Sequence, residues 1–219
     1  MIIKFLLNSL SYNFTAKTPF YFVRNIQSRN MSKKALVLLA EGAEEMEAVI
    51  SIDVLRRGGI DVAVAGVPNK IPIQCSRGVI VNPTISIDEA KVNGPYDVVV
   101  LPGGLQGAKN LGANEAVGAI LKEQEKSGRL IAAICAAPAL VLKAHGIAEG
   151  RNVTSYPSFE KELTSNGKYH YSQEKVVVDG NITTSRGPGT ALDFSLSLVS
   201  QLMGKEKASE IAKALLVPY

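Results

Sequence analysis

The chain has few cysteines and no long apolar run, and each shortage excludes a class of protein. Its 219 residues include only two cysteines, Cys75 and Cys135. Two are too few for a disulfide scaffold, which favours a reducing, intracellular compartment. No stretch approaches ~20 uninterrupted apolar residues, so we expect no membrane-spanning segment. The nucleotide-binding patterns G-x-G-x-x-G and G-x-x-x-x-G-K-[ST] are also missing, so nucleotide binding has no motif to support it.

Acidic residues are missing from the first thirty positions, which contain four basic ones: Lys4, Lys17, Arg24 and Arg29. Residues 31–219 therefore hold 20 basic and 20 acidic residues. A domain without net positive charge lacks the electrostatic attraction that nucleic-acid binding needs, so we expect no nucleic-acid partner.

Residues 1–30 form a separate leader segment that is basic and rich in hydroxyl side chains. Its apolar residues are spaced as one face of a helix: Ile3, Leu6, Leu7, Leu10 and Phe14. This composition predicts mitochondrial targeting. A secretory signal is the alternative, but Lys4 and Asn8 interrupt its apolar stretch, and an untargeted extension before Met31 is a third. The expected locations are the mitochondrion and the cytoplasm, with the nucleus also open.

Short apolar runs typical of strands alternate with helical segments from residue 34 onward. The predicted strands are 35–39, 60–65, 97–101, 130–134, 152–156, 175–178 and 181–184. The predicted helices are 44–57, 114–126, 136–145, a short one near 158–163, 190–203 and 205–215. This alternation predicts an α/β fold with a mostly parallel sheet between helices, as one domain over residues 31–219. The turn Asp179-Gly180 predicts an added antiparallel hairpin.

Cys135 lies at the corner between a predicted strand, 130–134, and a predicted helix, 136–145. A sulfur at this corner lies near the first unpaired amides of the helix, which favour thiolate over thiol. In α/β folds the carboxyl end of a strand is also where sites usually form. The alternative is a buried structural cysteine, because free cysteine packs as a small hydrophobic residue.

Two glycines follow the predicted strand 97–101, in the segment Pro102-Gly-Gly104. Gly103 and Gly104 could supply an amide that, together with that of Ala136, stabilises an oxyanion beside the sulfur. The alternative is a tight turn that needs glycine only for its backbone angles.

Glu47 belongs to an acidic cluster, with Glu44 and Glu45, in the first turn of the predicted helix 44–57. Such acids commonly favour the helix dipole and are solvated. Glu47, however, lies on the flank of the apolar face, where desolvation favours the protonated acid. If it met Cys135, the two groups would share one proton, and the acid could relay protons in catalysis.

Several long motifs occur in an order similar to that of the parkinsonism-associated deglycase (Parkinson disease protein 7) family. They are Gly42-Ala-Glu-Glu-Met-Glu47, Gln74-Cys-Ser-Arg77, Gly94-Pro-Tyr-Asp-Val-Val-Val-Leu-Pro-Gly-Gly104, Leu130-Ile-Ala-Ala-Ile-Cys-Ala136 and Thr184-Ser-Arg-Gly-Pro-Gly-Thr190. The resemblance covers essentially all of residues 31–219 and none of 1–30. It implies a flavodoxin-like three-layer sandwich of the class I glutamine amidotransferase-like superfamily, with helices on both faces of the sheet.

The resemblance also implies roles for particular residues. Cys135 would be the reactive, oxidation-sensitive nucleophile, and Glu47 the acid that hydrogen-bonds it. Gly104 and Ala136 would supply the backbone amides around the sulfur, and Met46 lies in the helix that contributes to a homodimer contact. The implied activity is glyoxalase and protein deglycase action on methylglyoxal and its early adducts, including glycated proteins, without metal or other cofactor. The alternative is a non-enzymatic redox sensor and redox-regulated chaperone.

The chain departs from that family at one point, since Ser155-Tyr156-Pro157 stands where relatives often have a His-Pro pair. Of the two histidines, His145 lies ten residues along the helix from Cys135, about 15 Å away at 1.5 Å per residue, and His170 lies in a polar loop. A Cys-His-acid triad is therefore disfavoured, leaving a Cys-Glu pair. Cys75 is interpreted as an ordinary strand thiol, with a second redox or modification site as the alternative.

Overall fold

The computed structural model describes residues 32–219, so the predicted leader lies outside the described residues. The strands are β1 (Lys34–Ala40), β2 (Asp61–Val67), β3 (Ile73–Gln74), β4 (Ile80–Val81), β5 (Ile85–Ser86), β6 (Val98–Leu101), β7 (Leu130–Ile134), β8 (Asn152–Val153), β9 (His170–Tyr171), β10 (Val176–Asp179) and β11 (Ile182–Ser185). The α-helices are α1 (Glu45–Arg57), α2 (Ile87–Asn93), α3 (Leu105–Gly112), α4 (Glu115–Lys126), α5 (Lys143–His145), α6 (Glu160–Thr164), α7 (Ala191–Met203) and α8 (Lys205–Ala214).

Seven strands form the main sheet, in the order β10-β11-β7-β6-β1-β2-β5. All neighbours pair in parallel except β10 and β11, whose antiparallel hairpin turns at Gly180-Asn181, one residue beyond the start of the predicted turn. A smaller antiparallel pair, β3 with β4, lies outside this sheet. The predicted α/β sandwich with a mostly parallel sheet and an added hairpin is confirmed.

The central strands are apolar along their whole length because helices cover them. All four residues of β6 and six of the seven in β1 are buried, the pattern typical of a parallel strand enclosed on both faces. One helical group contains α1 and α7, which pack on each other, and another contains α2, α3 and α4. No helix in residues 32–219 is both long and apolar enough to cross a bilayer.

The helix expected over 136–145 differs from the prediction at its start. Cys135 and Ala136 form a turn, Pro138–Leu142 is π-helical, and only Lys143–His145 is α-helical. The amide of Lys143 donates to the carbonyl of Pro138, five residues back, and this spacing makes the helix wider than an α-helix. Segments of this kind occur frequently at functional sites.

Two short helices were not predicted from the sequence. Helix α2 is stabilised by a capping box in which Ser86 and Glu89 each accept from the other's backbone amide. Helix α3 begins after Gly104, without a side-chain cap, and itself contains two glycines. Its low intrinsic propensity hid it from sequence reasoning, and packing against β1 stabilises it instead.

Candidate active site

Cys135 lies directly after β7 in a strained backbone conformation. Its φ is +64°, in the left-handed region that residues other than glycine rarely occupy. Two backbone hydrogen bonds maintain it: the amide of Cys135 donates to the carbonyl of Ser185 (3.0 Å), and the amide of Tyr156 donates to the carbonyl of Cys135 (2.8 Å). The sheet and the following loop therefore fix the thiol at the carboxyl end of the strand, with the residue 9% exposed.

Glu47 approaches the sulfur from the first turn of α1 and is 0% exposed. Its Oε2 accepts a hydrogen bond from the amide of Gly103 at 2.7 Å. Its Oε1 is buried, and no nitrogen or oxygen donor among residues 32–219 reaches it. The carboxyl instead interacts with the Cys135 side chain. The structure thus brings together the acid and the cysteine that the sequence singled out.

Burial controls the protonation of this pair. Desolvation, against the hydrogen bonds from Gly103 and Cys135, raises the pKa of Glu47 to about 7. Burial and then the Glu47 charge raise the pKa of the Cys135 thiol to about 12, while the amides of Gly104 and Ala136 act in the opposite direction. The two groups are therefore not ionised together near neutral pH, so the pair retains at least one proton there and gains a second as the pH falls through about 7.

The glycines before α3 allow the backbone to approach the pair closely. A Cβ on Gly103 would lie 2.6 Å from Cys135 Cβ and 2.8 Å from Glu47 Oε2. Gly104 has a φ of +81°, and a Cβ there would lie 2.4 Å from the carbonyl oxygen of Gly42. Both positions require glycine, and the backbone that results turns the Gly104 amide toward the sulfur, as Ala136 does from the other side. These two amides can stabilise an oxyanion.

Cys135 opens onto a cleft of about 850 Å³. The residues lining it are Glu41, Gly42, Glu44, Gln74, Cys75, Ser76, Arg77, Gly104, Leu105, Gln106, Cys135, Ala136, Tyr156, Ser158, Phe159 and Pro188. A smaller apolar cavity of about 210 Å³ lies between α2 and α4, near the amino ends of β6 and β7 and away from the thiol. Within the described part of the chain, no cluster of three or more His, Cys, Asp or Glu side chains is arranged to hold a metal.

The other residues named from the sequence lie in different surroundings. Cys75 lines the same cleft but is 4% exposed, and burial, with nearby glutamates, raises its pKa to about 11. Neither of the two described histidines lines the cleft. Nε2 of His145 lies 3.3 Å from the carbonyl oxygen of Leu111, and His170 is exposed on β9. Met46 is 52% exposed on α1, and its role in a homodimer contact stays a prediction.

Sequence reasoning gave no role to Tyr156, although the ring lines the cleft beside Cys135. The sequence did contain a signal for this residue, because Tyr156-Pro157 stands where relatives often have a His-Pro pair. Arg77, Ser158 and Phe159 reach the cleft from loops and short helices, whose positions no periodic pattern reveals.

Comparisons with known proteins identify the family of the chain. Residues 33–201 match the DJ-1/PfpI family. The chain is 52% identical over 185 residues to Parkinson disease protein 7 homolog of Danio rerio, covering 84% of this chain and 97% of the relative. It is 41% identical over 184 residues to glutathione-independent glyoxalase DJR-1.2 of Caenorhabditis elegans, covering 84% of this chain and 96% of the relative.

A solved structure shows the same fold. The crystal structure of Drosophila melanogaster DJ-1beta superposes with a TM-score of 0.83 at 52% identity, covering 86% of this chain and all of that chain. The shared fold and the sequence matches give one assignment. The chain belongs to the DJ-1/PfpI family.

Proposed function

We propose that the protein is a cofactor-independent glyoxalase that converts methylglyoxal to lactate, with early methylglyoxal adducts on proteins as further substrates. The observation that carries the proposal is the buried Cys135–Glu47 pair, which retains one proton and lies beside two convergent amides at the edge of a cleft. The C. elegans relative named a glutathione-independent glyoxalase supports the same reaction class.

In the first step, Cys135 Sγ forms a bond to the aldehyde carbon of methylglyoxal. The aldehyde oxygen becomes an oxyanion at the amides of Gly104 and Ala136, and it takes the one proton of the pair. The product is a hemithioacetal, and Glu47 is left as a carboxylate beside it.

In the second step, Glu47 removes the proton from the former aldehyde carbon, and the electron pair moves to form an enediolate with its negative charge on the second carbonyl oxygen. Glu47 returns this proton to the neighbouring carbon, and the hydroxyl proton on the first oxygen moves to the second oxygen, which gives a lactoyl thioester on Cys135 and leaves Glu47 as a carboxylate. Water hydrolyses the thioester, which releases lactate and restores the thiol. No electrons leave the substrate overall, so the sequence of steps needs no external oxidant or reductant.

For an adduct on an amine, the same thiol would displace the amine from its carbinol carbon. The amine would leave with the proton of the pair, giving the same hemithioacetal. Glycated proteins are therefore proposed as substrates through a shared intermediate.

The test is the formation of lactate from methylglyoxal by the purified chain, without glutathione or added metal. We expect lactate to accumulate in proportion to enzyme concentration and to equal the methylglyoxal consumed. Consumption of methylglyoxal without lactate would mean that the protein only scavenges the aldehyde, and it would contradict the glyoxalase proposal.

A second function, redox sensing through oxidation of Cys135, is favoured by the buried Glu47 Oε1. A protonated carboxyl at that position could donate to an oxygen of a sulfinate, while the Gly104 and Ala136 amides donate to the sulfur group. Sulfinate formation is thus stabilised on three sides.

Mild peroxide treatment is expected to add two oxygens to Cys135 before Cys75 is modified. Both thiols have a raised pKa, but only Cys135 has the Glu47 carboxyl and the Gly104 and Ala136 amides beside it to stabilise the oxidised sulfur, whereas Cys75 is surrounded by glutamate charges. Peptide mass spectrometry after graded exposure measures the order. Modification of Cys75 with Cys135 unchanged would contradict the sensor function, and Glu47→Gln serves as a variant in which the carboxyl is absent.

A further inference from the structure

Tyr156 is fixed to the nucleophile through the backbone. Its amide donates to the carbonyl of Cys135 at 2.8 Å, and its own carbonyl accepts from the amide of Phe159 at 2.9 Å. The ring lines the cleft and is 45% exposed, with Gly187 against one edge of the ring, where an added Cβ would lie 3.3 Å from the tyrosine Cδ2. The backbone of Tyr156 is therefore joined directly to that of Cys135.

The hydroxyl of Tyr156 differs in its hydrogen bonding from the hydroxyls of three other tyrosines. The hydroxyls of Tyr96, Tyr169 and Tyr171 each donate to a backbone carbonyl, at 3.1, 3.0 and 3.2 Å. These three phenols serve the packing of the fold. The hydroxyl of Tyr156 makes no such bond to residues 32–219 and lies on a residue of the cleft wall, so it is available to a bound molecule.

A 1,2-dicarbonyl substrate presents two adjacent oxygens, and the backbone amides account for only one of them. When Sγ bonds the aldehyde carbon, the aldehyde oxygen lies at the Gly104 and Ala136 amides. The second carbonyl oxygen gains negative charge when Glu47 removes the proton from the neighbouring carbon, so a donor is needed there. Arg77 also lines the cleft, and its Nη1 donates to the Ser76 carbonyl; its other N–H groups make it the alternative donor, which substitution of Tyr156 distinguishes.

We propose that the Tyr156 hydroxyl donates to the second carbonyl oxygen of the dicarbonyl substrate and thereby positions it for proton transfer. The proposal rests on the glyoxalase function and names a further residue for that reaction. A phenol can donate and accept a hydrogen bond, so Tyr156 supplies a neutral donor without adding a charged group to the cleft.

Two variants test the proposal. Tyr156→Phe retains the ring and its packing but removes the hydroxyl, and we expect it to lower kcat/KM for methylglyoxal by roughly ten-fold or more, with the larger effect on kcat. Tyr156→His is expected to restore a donor and to add a pH dependence between about pH 6 and 7, because imidazole titrates there. Tyr219→Phe, which removes an exposed phenol outside the cleft, is the matched control.

The rate at which iodoacetamide alkylates Cys135 reports whether the substitution of Tyr156 has disturbed the nucleophile. It therefore distinguishes loss of a contact with substrate from damage to the site. It is expected to be the same in Tyr156→Phe and the wild type, since the nucleophile itself is unchanged. Wild-type turnover by Tyr156→Phe would overturn this inference and leave the glyoxalase function standing. A fall in alkylation that matches the fall in turnover would also overturn it, because Tyr156 would then act only on the position of Cys135. Absence of lactate in the wild type would overturn both.

Discussion

Changing Cys135 to alanine is expected to lower kcat/KM for methylglyoxal by at least roughly 1,000-fold, because no other group can form the hemithioacetal. Cys75, the other thiol of the cleft, is 4% exposed, and it lacks the Glu47 carboxyl and the two backbone amides that act on Cys135. Lactate formation under saturating and limiting substrate measures the effect. The residual rate should equal that of methylglyoxal in buffer with an unrelated protein at the same concentration.

Cys75→Ala is the matched control because it also removes a buried sulfur from the same cleft. We expect this variant to retain turnover within a few-fold of the wild type. Equal losses in the two variants would indicate that the cleft had been disturbed in both. Undiminished turnover in Cys135→Ala would contradict the mechanism outright.

Changing Glu47 to glutamine is expected to reduce turnover by roughly 100- to 10,000-fold, the range that a positioned proton carrier contributes. Glutamine can still accept from the Gly103 amide, which Glu47 Oε2 does at 2.7 Å. It cannot, however, remove the proton from the hemithioacetal. The variant should therefore accumulate the bound adduct on Cys135, which intact-mass spectrometry detects.

The pH dependence of kcat/KM shows which protonation state of Glu47 is active. The active pair carries one proton, and a second proton is added as the pH falls through the raised pKa of Glu47, about 7. Wild-type kcat/KM should therefore fall about ten-fold per pH unit below that value, and the residual activity of Glu47→Gln should lack this limb. A limb that persists in the variant would assign it to another group.

Loss of folding does not account for the expected effect of Glu47→Gln. A raised carboxyl pKa means that the folded state binds the proton more tightly than the unfolded state. The resulting stabilisation is complete below about pH 4.5 and is lost as the pH rises to about 7, a change on the order of 3 kcal/mol. Glutamine has no proton to lose, so the variant should be at least as stable as the wild type at pH 8, as urea unfolding can show.

Much of the fold was predictable because the central strands are enclosed by helices and must be apolar throughout. The run Val98–Leu101 and the run Leu130–Ile134 both have this signature, and the residues after them, Gly103 and Cys135, had to lie at one end of the sheet. Glu47 was identifiable as well, because its place on the flank of an apolar helical face indicated burial.

The parts that sequence reasoning missed depend on tertiary contacts. Helix α3 forms despite its glycines because it packs on β1, and the π-helical turn Pro138–Leu142 has no periodic pattern of its own. The raised pKa of Cys135 also could not be derived locally. The corner amides do favour the thiolate, but burial and the Glu47 charge outweigh them, and both arise only from packing.

The order of the sheet links the chemistry of Cys135 to the completion of folding. The strands β1, β6 and β7 are adjacent in the sheet, yet the residues they bring together, Glu47, Gly104 and Cys135, are far apart along the chain. Parallel pairings of such sequence separation form slowly, because loop closure comes before the contacts that compensate for it. In the nascent chain Cys135 is an ordinary thiol with a pKa near ~8.5. Its specialised reactivity therefore begins when the last of these strands joins the sheet.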